Sequence, residues 1–61
     1  MENKETLEAK ARKAIKRLRA HRFAYDKQVA ERIRRIELWM AENFSHDADL
    51  EKLVANPLKG I

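Results

Sequence analysis

Six cations crowd into ten residues: Lys10, Arg12, Lys13, Lys16, Arg17 and Arg19, with Arg22 close behind. On a helix those six spread over about half the circumference. A cluster of this kind suits a phosphate backbone, because each neutralised phosphate releases counterions. Reading bases would need Asn, Gln or Arg set among them on a docking helix. A face made mainly of Lys and Arg offers little of that, so any nucleic-acid contact is expected to be non-specific. The plainer reading is a solvated helix face or a surface for an acidic protein.

The other residue types capable of chemistry are sparse. His21 and His46 are the two histidines, and the chain has no cysteine. His46-Asp47-x-Asp49 is a short acidic run without the convergent spacing that a metal site requires. Ser45 has no base or oxyanion donor placed for it and reads as a helix cap. The expectation is therefore no catalytic set, no metal and no cofactor.

Apolar spacing defines the elements that carry these side chains. At 100° per residue, the apolar positions from Leu7 to Phe44 fall within about 140° of arc. The seam steps through Leu7, Ala11, Ala14, Leu18, Arg22, Tyr25, Val29, Ile33, Ile36 and Met40, an eleven-residue period of 4-3-4 spacing. Trp39 and Phe44 lie on the same face, and no Gly or Pro interrupts the run. This predicts one long amphipathic helix over about 5–44. Glu8 and Arg12 are an i,i+4 pair in the favourable order. A break near residues 22–26, where Asp26 could cap a second helix, is the alternative. After Phe44, Ser45 and Asp47 are N-cap candidates, and Leu50, Leu53 and Val54 mark a short helix over about 47–56. Asn56-Pro57 stops it, since the residue before proline is pushed out of the helical region. The tail 58–61 either docks or frays.

The predicted fold is all-α, a single helical domain over 1–61. A helix over 5–44 would span roughly 60 Å, too long for a two-turn segment to cover. A second copy is the expected cover, with a dimer seam of Leu7, Ala11, Ala14, Leu18, Tyr25, Val29, Ile36, Trp39 and Met40. Antiparallel pairing sets Ala11 against Trp39 and Ala14 against Ile36, large on small, which fills space evenly. It also separates the basic halves, because residues 1–22 carry a net charge of +5 within a chain of +4. The competing architecture is a hairpin completed by the third helix, as a three-helix bundle or a four-helix dimer. Phe23 and Leu38 fall outside the seam of a continuous helix. Leu38 is the one expected beneath the C-terminal helix, and Phe23 is the better candidate for a partner contact.

Composition sets the remaining bounds. At 61 residues with 39% charged side chains, the chain has a small core and needs tight packing or association. The charged N-terminus carries no signal-peptide pattern, and no run approaches the length of a membrane span. A cytoplasmic protein follows. The expected function is a non-enzymatic regulatory or adaptor protein: a helical homodimer that binds and modulates another protein. The alternative is a small basic nucleic-acid-binding protein using residues 10–22. A membrane-surface helix is disfavoured, since a stable dimer occupies the apolar face it would need.

Overall fold

The computed structural model describes residues 4–22 and 24–61. It contains three helices, α1 Lys4–Arg19, α2 Lys27–Ala41 and α3 Ala48–Ala55, and no strand among the described residues. The all-α expectation holds; the single helix over 5–44 does not. Its apolar stripe is folded double, and the longest dimension is 32 Å, about half the length of a continuous helix.

The physical reason lies in the two halves of the seam. α1 contributes Ala11, Ala14 and Leu18, and α2 contributes Val29, Ile36 and Trp39. All six are buried in one cluster with Leu50 and Val54 of α3. Each half-stripe covers the other within one chain, so burial begins without the entropy loss of association. The loop is a small cost, because closing a short connection is entropically mild. Two features define the turn. His21 N–H bonds back to the Leu18 carbonyl in a tightened last turn (3.2 Å). Asp26, in extended conformation, caps α2 by accepting from the Gln28 N–H (2.8 Å). The apolar phase is retained across the turn because an arc this wide tolerates a new helix starting in nearly the same phase.

Tyr25 shows the consequence. It belongs to the seam only if the helix is continuous; in the turn it is 102% exposed. Leu7 and Met40 are half-buried against the core, as are Ile15 and Ile33.

α2 stops at Ala41 rather than at Phe44, through a Schellman motif without glycine. Asn43 and Phe44 take left-handed φ values of 62° and 57°. The Phe44 N–H donates to the Trp39 carbonyl and the Asn43 N–H to the Met40 carbonyl, both at 3.0 Å. This is the paired bonding that satisfies the last carbonyls of a helix. The accompanying apolar contact is aromatic: the Trp39 and Phe44 rings meet edge to face, 5.1 Å between centroids at 86°. Trp39 Nε1 also donates to the Ser45 carbonyl (2.7 Å). Asp47, not Ser45, caps α3, accepting from the Leu50 N–H (3.1 Å).

The tail docks. Pro57 is fully buried, and Arg32 Nη1 donates to the carbonyls of Pro57 (2.9 Å) and Lys59 (2.6 Å). Gly60 adopts φ +83° beside that guanidinium, a conformation strained for any side chain. Arg32→Met keeps the stem and removes both charged hydrogen bonds. It is expected to cost about 1–3 kcal/mol and to speed amide exchange of residues 57–61 while sparing that of α1 core amides. Hydrogen exchange by NMR reads both.

Candidate docking surface

Each α1 cation predicted from the sequence is exposed: Lys10, Arg12, Lys13, Lys16, Arg17 and Arg19. The fold sorts them into two sets, about a third of the helix circumference apart. Lys10, Lys13 and Arg17 border the cleft between α1 and α3, with Ala14, Val54 and Ala55. Arg12, Lys16 and Arg19 border a groove between α1 and α2 on the opposite side of the hairpin, where α3 contributes nothing. Ile15, Ala20 and Met40 line that groove, and Glu37 stands on its α2 wall. A separate shallow depression, lined by α2 and the turn alone, adjoins it at Glu37 and includes Ala24, Ala30, Ile33 and Arg34.

Arg12 is engaged by Glu8 at 2.6 Å, an exposed i,i+4 pair contributing at most a few tenths of a kcal/mol. Lys16 and Arg19 have no ion-pair partner among the described residues. They present unneutralised charge along one stripe of α1, at the 4-3 spacing that keeps Arg12, Lys16 and Arg19 in line.

Leu38 departs from its expected place. α3 does not cover it, and it is 60% exposed at the edge of a cleft with Arg35, Glu42 and Asp47. Phe23, the other candidate contact, lies outside the described residues. His21 is half-buried at the end of α1, and His46 is exposed between α2 and α3. No group of three or more His, Cys, Asp or Glu side chains converges among the described residues. No helix among them is long and apolar enough to cross a membrane.

Ile15, Ala20 and Glu37 escaped notice as groove residues because a continuous helix gives them no common neighbour. The available signal was weak. Ile15 lies at the margin of the apolar arc, where a residue is half in and half out of a core.

No protein-family model matches this chain, and no curated protein and no solved structure matches it.

Proposed function

We propose that the chain is a non-enzymatic regulatory or adaptor module that binds another protein through the open face of the α1–α2 hairpin. The observation that carries this reading is the asymmetry of the hairpin. One face is sealed by α3, while the other leaves Ile15 and Met40 half-buried in the groove between α1 and α2. A groove of apolar floor and charged walls is the usual receptor for an amphipathic helix. Six of the nine residues of the expected dimer seam, Ala11, Ala14, Leu18, Val29, Ile36 and Trp39, are buried within one chain, so a homodimer would use another face. A second copy is then a competitor for the same groove.

Nucleic-acid binding is the second reading, supported by the exposed cations on both sides of α1. α3 argues against a base-reading helix in a groove of DNA, because it carries Asp49 and Glu51 against the single cation Lys52. Phosphate contact through α1 would weaken steeply with added salt.

A photo-crosslinking side chain distinguishes the readings. Installed at Ala20 in the groove, it is expected to form protein adducts in extract of the source cell. At Glu42, on the opposite side, it is expected to form none. Nucleic-acid adducts at position 20 would favour the second reading, and adducts to the chain itself would return the homodimer to first place.

A further inference from the structure

We infer that the open groove takes an acidic amphipathic helix from another protein, seated as α3 is seated on the opposite face. This rests on the protein-binding reading above and names the class of partner.

α3 is the template. It is an eight-residue amphipathic helix with acidic residues Asp49 and Glu51 in its first turn. It buries Leu50 and Val54 between α1 and α2. The clefts along its sides are bordered by cations from both helices, Lys13 and Arg17 of α1 and Arg32 and Arg35 of α2. The chain thus already holds one acidic amphipathic helix between cationic walls.

The far side of the hairpin offers an apolar floor and a cationic α1 wall without an occupant from the chain. Its floor is Ile15 and Met40, and its α1 wall is Arg12, Lys16 and Arg19. Glu37 opposes them from α2, so the walls differ in charge. A docked helix would turn a row of carboxylates at 4-3 spacing toward α1, and would tolerate a cation beside Glu37. Apolar residues at i, i+3, i+4 and i+7 would fill the floor. The stretch from Arg12 to Ala20 rises about 12 Å, so about three helical turns of ligand suffice.

Charge argues against a second copy as that occupant. Its equivalent face carries the same three cations against the one carboxylate of Glu37, and the net like charge brought together across an interface is unfavourable. The acidic helix of a second copy has Leu50 and Val54 already buried in its own core.

The test uses the intact chain with isotope-labelled Ile and Met methyls and three probes. These are a helix-stapled peptide of Leu and Glu in the stated pattern, its Lys-for-Glu counterpart, and a double-stranded DNA oligomer. The Glu peptide is expected to shift the Ile15 and Met40 methyl signals and to bind at least about tenfold more tightly than the Lys peptide. Lys16→Glu/Arg19→Glu alters two exposed side chains and leaves the core intact, which its circular dichroism should confirm. That variant is expected to lose the Glu peptide by about tenfold and to gain the Lys peptide. Equal binding of both peptides at the groove methyls would overturn the acidic class while sparing the protein-binding reading. No groove shift with either peptide would overturn both. DNA binding tighter than the Glu peptide, and lost equally in Lys13→Glu/Arg17→Glu, would replace the inference with a general polyanion surface. Light scattering that shows a dimer whose groove methyls shift with chain concentration would assign the groove to a second copy.

Discussion

Trp39→Ala is expected to leave the chain without a cooperative unfolding transition at room temperature. Trp39 is 3% exposed, and deleting a buried tryptophan side chain costs about 3–5 kcal/mol. The indole also holds the end of α2 in place. Its Nε1 donates to the Ser45 carbonyl at 2.7 Å, and its ring packs edge to face on Phe44. Losing that hydrogen bond adds about 1 kcal/mol. A domain of 61 residues has a total stability on the order of 3–9 kcal/mol, so the substitution removes much or all of it. Trp39→Phe separates the contributions. It keeps a ring against Phe44, loses the donor and part of the volume, and should fold with a lowered midpoint. Urea titration followed by circular dichroism measures both variants. A wild-type midpoint for Trp39→Ala would mean that Trp39 does not join the α2–α3 turn to the core.

Leu18→Ala is the second large effect, and its dependence on concentration carries further information. Leu18 is fully buried among Val29 and Ile36 of α2 in the shared core. Truncating it costs about 2–5 kcal/mol, at the last buried position of α1 before the turn. Because the neighbours of Leu18 belong to the same chain, the denaturation midpoints of wild type and variant should not change with protein concentration. Association through the seam would instead raise the midpoint with concentration, by mass action. A hundredfold concentration series of thermal melts decides between these outcomes.

Much of the local structure was legible because it depends on neighbours in sequence. Ser45 and Asp47 both read as caps ahead of the Leu50-Leu53-Val54 stripe, and Asp47 is the one that caps α3. Asn56-Pro57 ends α3 where the constraint on a residue before proline says it must. Glu8 and Arg12 pair at i,i+4 as their order suggests. Asp26 caps α2, a role its residue type permits but which the unbroken apolar phase around it masks in the sequence. The end of α2 was not legible, since a left-handed Asn43-Phe44 pair lacks the glycine that usually marks such a stop. The docking of Arg32 on the tail joins residues more than twenty positions apart, and no local pattern announces it.

By itself, then, the sequence determined which residues are apolar and in what rotational phase, where the third helix lies, and that α1 is a cationic helix. These follow from side-chain type and helical period, which hold whatever the chain packs against. Only the tertiary structure decided that the seam closes on itself. A continuous stripe and a stripe folded double have the same periodicity and differ in what covers them. That single fold-back moved Tyr25 from core to solvent. It also divided the α1 cations between two clefts and left one face of the hairpin open. The groove exists because α3 is eight residues long and can seal one side of two longer helices but not both.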